Sequence, residues 1–191
     1  LRFDVTDLEQ QLNGCSWTHV FVYAMGQIMK KFPELNRVLI RNNLYQRTDI
    51  QAFVHTHIRQ KGEFDLLGVT ITDVDKKSIK QIAKDIAGQT RKLRNKQNRP
   101  IEHTRNILKW VPTFLAPVFI KCLDFWVYTL NVSLAWLGLP KDPYGSFGVT
   151  AVGSFGFEEA YVPLFPFSRM PLMVAVGKPC DEMVFDDESK I

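Results

Sequence analysis

Several common signatures are missing from this sequence. Three cysteines, Cys15, Cys122 and Cys180, are too few and too scattered for a disulfide framework or a zinc spacing. A reducing compartment is therefore expected, cytoplasm or mitochondrial matrix. There is no nucleophile elbow, no P-loop and no dinucleotide fingerprint. Within residues 101–143 the longest uncharged run, Phe125 to Pro140, is 16 residues, short of the ~20 that span a bilayer. The excess of one sign of charge is also small, with a net of only +4. The basic runs Lys76–Lys77–Lys80 and Arg91–Lys92–Arg94–Lys96–Arg99 contain no aromatics, so no nucleic-acid surface is expected. They read as a solvated helix face and its polar exit, with cofactor phosphates as the alternative use. Of the four histidines, His55 and His57 share one face of a strand. Two histidines alone do not make a metal site, and no metal is expected. His19 falls in the first turn of a helix and His103 in a polar connection, neither with a flanking partner that marks a general base.

What remains is ordinary in bulk. At 191 residues, 46% hydrophobic and 23% charged, the chain is expected to form a single globular domain over residues 1–191. Leu1 to Val5 reads as the middle of a strand, and the last residues follow an acidic turn. Both ends are expected to be cut from a longer chain.

Along the chain, Thr6-Asp7-Leu8-Glu9 reads as a capping box for a short helix to about Leu12. Ser16 then caps a helix whose apolar positions are Val20, Phe21, Ala24, Ile28 and Phe32, stopped by Pro33. Val38–Ile40 and Leu44–Tyr45, joined by Asn42-Asn43, read as a hairpin. Ile50, Ala52, Val54, Thr56 and Ile58 alternate as a strand, and Leu66 to Thr72 is a second. Asp75 or Ser78 caps a helix with Ile79, Ile82, Ala83, Ile86 and Leu93 on one face. Residues 101–143 differ in kind: three of the four tryptophans lie there. They read as an apolar helical hairpin, buried or partner-covered, with Lys121 and Asp124 spaced to pair. A membrane-surface element is the alternative.

The stretch from Tyr144 to Lys178 is richest in glycine, with Gly145, Gly148, Gly153 and Gly156 in its first part. Between them lie Val149, Thr150 and Val152. A hydroxyl held on a strand between tight turns can serve as an oxyanion donor, and Thr150 is that hydroxyl. An ordinary strand residue is the alternative reading. Glu158 and Glu159 read as surface.

Taken in order, these segments resemble the catalytic domain of the 2-oxo acid dehydrogenase dihydrolipoamide acyltransferases, which share their fold with chloramphenicol acetyltransferase. The opening FDVTDLEQQL is similar to the family's strand ending in D-V-T. Lys31-Phe32-Pro33-Glu34-Leu35-Asn36 is similar to its K-x-P-E-L-N, and Asp49 to Val54 to its next strand. Thr72-Asp73-Val74-Asp75-Lys76-Lys77-Ser78-Ile79 resembles R-D-A-D-K-K-S-L, the most specific match. The glycine-rich stretch resembles T-I-S-N-L-G-x-x-G, and Val174 to Gly177 the A-I-L-G-V-G strand. The resemblance covers residues 1–97 and 144–185. It leaves 101–143 as a helical insertion, similar to one in a smaller group of stand-alone relatives.

The resemblance implies an α/β fold of two layers, a mixed sheet with helices on one face, plus the inserted apolar helical segment. It implies acyl transfer between coenzyme A and a thiol such as dihydrolipoamide, in a 2-oxo acid dehydrogenase-type system. That chemistry needs a base for the attacking thiol and a donor for the tetrahedral oxyanion. The family's donor is the first Ser of T-I-S-N. Thr150 stands there, with Ala151 in place of the Asn. The family's base is the His of D-H-R-x-x-D-G, supplied across a trimer interface, and that motif is expected beyond Ile191. A homotrimer or larger homo-oligomer is implied, with a coenzyme A thioester as substrate. No lipoyl domain or Ala/Pro-rich linker is present in these residues, so the lipoyl group is expected on a separate protein. The alternative is a non-catalytic structural or assembly protein that keeps the trimeric core, with membrane-surface or protein contact through residues 107–139.

Overall fold

Ser16 ends an extended segment and starts the first long helix, α2, Trp17–Lys31. The computed structural model describes residues 2–9, 12, 14–40, 42–60, 63–94, 112, 114–130, 142, 144–164 and 168–181. Side chains at 9, 57–60, 63–67, 120, 123–124 and 127–128 lie outside the description. Before α2 comes a single helical turn, α1, Thr6–Glu9. Its expected continuation through residues 10–11 lies outside the described residues, and its cap is not Thr6. The Asp4 carboxylate accepts from both the Thr6 N–H (3.0 Å) and the Thr6 hydroxyl (2.8 Å). These bonds favour the ionised form and hold the Asp4 pKa below its ordinary value.

The buried stripe of α2 is Val22, Met25, Gly26 and Met29, at helical spacing. This corrects the expected face. Ile28 and Phe32 are exposed, and Phe21 only packs against the edge of the core. Pro33 opens a 3-10 turn, Pro33–Leu35, as its lack of an N–H dictates. A small hairpin follows, β1 Arg37–Ile40 and β2 Asn43–Gln46. Ile40 pairs with Asn43, so Asn43 belongs to the second strand and not to the turn expected at Asn42-Asn43. Asn42 takes the left-handed conformation (φ 61°).

The main sheet comprises β3 Ala52–Gln60, β4 Glu63–Ile71, β5 Phe147–Ala151 and β6 Leu172–Val176, ordered β4-β3-β5-β6. β3 and β4 are antiparallel, whereas β3, β5 and β6 run parallel. Helix α3, Ile79–Arg94, starts at Ser78, whose N–H donates to Gln81 Oε1 at 2.8 Å, which settles the choice between Asp75 and Ser78. Helices α2 and α3 pack on each other; α2 also meets β5 and β6, and α3 meets β3 and β4. The core fills that layer: Ala52, Val54, Val69, Ile71, Phe147 and Val149 from the sheet, Ile82, Ile86 and Leu93 from α3.

The Asp-Val-Asp-Lys-Lys-Ser motif is the seat of α2. Val74 is fully buried, and a Cβ on Gly26 would stand 3.0 Å from its Cγ2. Gln27 donates to the Asp75 carbonyl at 3.1 Å. Lys76 pairs with Asp73 at 2.6 Å and Lys77 with Asp85 at 2.8 Å, so these lysines are matched by the chain's own carboxylates.

In the 101–143 region, α4 spans Ala116–Asp124 and continues into a π-helical turn, Phe125–Thr129. Phe114, Val118, Phe125 and Trp126 are all exposed. The Lys121–Asp124 pairing, His103 and the rest of the expected hairpin lie outside the described residues. No helix among the described residues is long and apolar enough to cross a membrane.

Candidate active site

Thr150 is the penultimate residue of β5, a strand with a neighbour on either side. Its position depends on how β5 is entered. Gly145 has φ 65°, and a Cβ there would stand 2.7 Å from the Gln51 Cβ, so only glycine fits. Ser146 follows, fully buried. Its hydroxyl oxygen accepts from the Gln51 N–H at 3.0 Å, and the hydroxyl donates to the Asp49 carbonyl at 3.3 Å. The Ser146 N–H donates to the Gln51 carbonyl at 2.8 Å. Together these bonds fix the register of β5 on β3.

That register sorts the side chains. Phe147 and Val149 lie beside Ala52 and Val54 and enter the helix-covered layer. Gly148 and Thr150 therefore lie beside Phe53 and His55 on the opposite face. Across the sheet, Thr150 stands in the row Gly68, His55, Thr150, Ala175. Its immediate neighbours in that row are His55 on β3 and Ala175 on β6. Thr150 is itself only 9% exposed, a polar group screened from bulk water.

Phe53 organises this face. Its ring meets His55 edge-on at 5.0 Å and Tyr144 edge-on at 5.2 Å. It lies over Gly68, where a Cβ would collide with the ring. The His55 Nδ1 is closed off from solvent. The side chain of His57 lies outside the description, and no group of described residues could hold a metal ion.

Beyond Thr150 the chain turns sharply. The Ser154 hydroxyl donates to the Ala151 carbonyl at 2.7 Å within a 3-10 turn, Val152–Phe155, and Gly156 closes it at φ 85°. A Cβ on Gly153 would stand 2.6 Å from the Gly177 carbonyl carbon, so the exits of β5 and β6 lie backbone against backbone. The end of this turn and the loop that follows expose Phe155, Phe157, Tyr161 and Leu164. Glu159 is on the surface as expected, where Arg2 donates to it at 2.8 Å and lowers its pKa.

His19 is a helix cap. Its Nδ1 accepts the Ser16 N–H at 3.0 Å, and burial lowers its pKa, so the imidazole is neutral. All three cysteines are free. The feature that sequence patterns missed is the adjacency of His55 to Thr150. It follows from pairing between strands far apart in the chain.

Comparison with known proteins agrees with this architecture. The model of the family "2-oxoacid dehydrogenases acyltransferase (catalytic domain)" matches residues 4–107. The lipoamide acyltransferase component of the branched-chain alpha-keto acid dehydrogenase complex of Bacillus subtilis is 36% identical over 96 residues, 49% of this chain and 22% of that protein. Among solved structures, a probable dihydrolipoamide acetyltransferase from Listeria monocytogenes aligns with a TM-score of 0.56 at 20% identity, over 96% of this chain and 60% of that one. The cubic core of a pyruvate dehydrogenase multienzyme complex aligns with a TM-score of 0.60 at 17% identity, over 97% and 63%. These likenesses establish a common fold, and the chain spans about three fifths of the solved chains.

Proposed function

Because the chain belongs to the 2-oxoacid dehydrogenase acyltransferase catalytic-domain family, we propose that it carries one half of a thiol-to-thiol acyl-transfer site. The acyl group passes between coenzyme A and a dihydrolipoyl thiol borne by a separate protein. The thiolate of the acceptor attacks the thioester carbonyl, and the carbonyl oxygen becomes an oxyanion. Collapse of that intermediate expels the donor thiolate, which takes up a proton.

The observation that carries this reading is Thr150: a screened hydroxyl at the end of β5, on the sheet face opposite the helices. In such a setting a fixed O–H donor stabilises developing negative charge more than water does. The base is expected from a second subunit of a trimer, and the apolar loop from Phe155 to Leu164 adjoins the same strand end. Residues 101–143 are read as an insertion into this domain.

The test is a coenzyme A transferase assay with dihydrolipoamide as acceptor. Thr150→Val should lower kcat by about 10²-fold with KM little changed, and Thr150→Ser should retain most activity. Unchanged turnover in Thr150→Val would remove Thr150 from the mechanism.

One observation favours a second reading, a non-catalytic assembly protein. Phe114, Val118, Phe125 and Trp126 are exposed around α4, as a docking segment would be. Absence of turnover with every acyl thioester tried would favour it.

A further inference from the structure

We propose that Met170 and Met173 form the wall that limits the acyl group, so that the thioester carries a short acyl chain, acetyl or propionyl. The inference rests on the acyl-transfer reading and adds the substrate class to it.

Strand β6 sorts its side chains as β5 does. Leu172 and Val174 pack against the helix-side core, and Val176 belongs to it. Met173 and Ala175 therefore project from the opposite face, the face of Thr150. Register sets Ala175 beside Thr150 and Met173 beside Gly148. The surface next to the hydroxyl is thus low, with an alanine on β6 and a glycine two residues back on β5.

That low surface ends at the two methionines. A Cβ on Gly148 would stand 3.3 Å from both Met170 Cε and Met173 Cγ, and 3.4 Å from Met170 Sδ. Both side chains therefore close over Gly148. Met170 is only 6% exposed, yet it is not part of the helix-side core. Phe53 is the β3 partner of Gly148, but its ring leans away over Gly68 and leaves Gly148 to the methionines. The wall is also held from behind. The Met170 N–H donates to the hydroxyl of the buried Ser168 at 3.3 Å, and the Arg169 carbonyl accepts from Arg47.

Past Thr150 the strand gives way to the 3-10 turn and the exposed loop. The thiols enter from that open side, and the acyl chain runs the other way, over Ala175 toward Gly148. Two residue steps along a strand cover about 6.7 Å. Less one carbon contact of about 3.5–4 Å, that leaves room for a methyl or ethyl group. A longer chain meets the thioethers.

The test measures kcat/KM for acetyl- and hexanoyl-coenzyme A with dihydrolipoamide, in the assembled protein and in Met170→Ala and Met173→Ala. The wild type should favour acetyl by at least about tenfold. Each alanine should raise the hexanoyl-to-acetyl ratio by about tenfold or more, because it opens the far end of the site. A merely structural role lowers both rates together and leaves the ratio where it was. Should Met170→Ala fail to fold, Met173→Ala, at a half-buried position, decides. A wild type indifferent to chain length, or variants that keep its ratio, overturns the methionine wall and leaves the acyl-transfer reading standing. No turnover with either thioester removes both readings together.

Discussion

Arg47 and Asp142 are 95 residues apart in the chain and meet in an ion pair, Nε to Oδ2, of 2.6 Å. The Arg47 side chain is only 8% exposed. Its two Nη groups donate to the carbonyls of Arg37 and Arg169. One guanidinium thus joins the small hairpin, the segment entering β5 and the segment entering β6. Removing Asp142 leaves a largely buried cation with neutral acceptors only. Asp142→Ala should therefore destabilise the fold by about 2–3 kcal/mol, the low end for a buried pair because Asp142 is partly exposed. Urea unfolding measures it, and a loss below about 0.5 kcal/mol would reduce the pair to an ordinary surface contact.

A pH effect is expected at His19. Its pKa is lowered from the ordinary 6.5 by burial, so the unfolded chain binds the proton more readily than the folded one. The contribution of the neutral ring is complete above about pH 6.5 and is lost as pH falls below it. Protonation also removes the Nδ1 acceptor of the Ser16 N–H. His19→Gln keeps a capping acceptor without a titrating group. It should match the wild type at pH 7.5 and lose less stability on going to pH 5.5, before the carboxylates titrate. Parallel stability curves for the two proteins would refute this.

Gly68 makes room for Phe53. Gly68→Ala should displace the ring and cost about 1–3 kcal/mol by overpacking. Phe53→Leu in the same background should recover part of that loss. If the alanine is tolerated at no cost, the ring is free to move and does not brace His55.

Two further glycines give a contrast. Gly153 abuts the backbone of Gly177 and Lys178, which has no flexible end to give way. Gly88 lies in α3 with open space around its Cα. Gly153→Ala should lower thermal stability and acyl-transfer rate together. Gly88→Ala should raise stability by about 0.5–1 kcal/mol, the helix-propensity difference. Equal shifts in the two melting temperatures would show that the β5–β6 exit is not tightly packed.

Much of the architecture was legible from local patterns. Ser78, Pro33 and the alternation of Ala52 and Val54 mark element ends and faces through short-range chemistry. The face of α2 was not, because two apolar stripes run along it. Val20, Phe21, Ala24, Ile28 and Phe32 satisfy helical spacing as well as Val22, Met25 and Met29 do. Periodicity finds a stripe but does not say which of two turns inward. The one local sign was Gly26, whose missing side chain marks the side of close approach to Val74. Thr150 could be singled out from its glycine-rich surroundings. Its neighbour His55 could not, because register between parallel strands is set by Gly145, Ser146 and Gln51 acting across the fold.

The parallel join of β3 to β5 has a consequence for how this chain can change. The link from Gln51 to Ser146, 95 residues apart, is held at both ends by the sheet itself. The entropy of closing such a loop rises by only about 0.6 kcal/mol for each doubling of its length. Residues 101–141, which stop short of the Arg47–Asp142 ion pair, can therefore be lengthened, shortened or exchanged at little thermodynamic cost to the sheet. The chain offers a natural grafting site, where new sequence can be tried while the frame around Thr150 keeps its register.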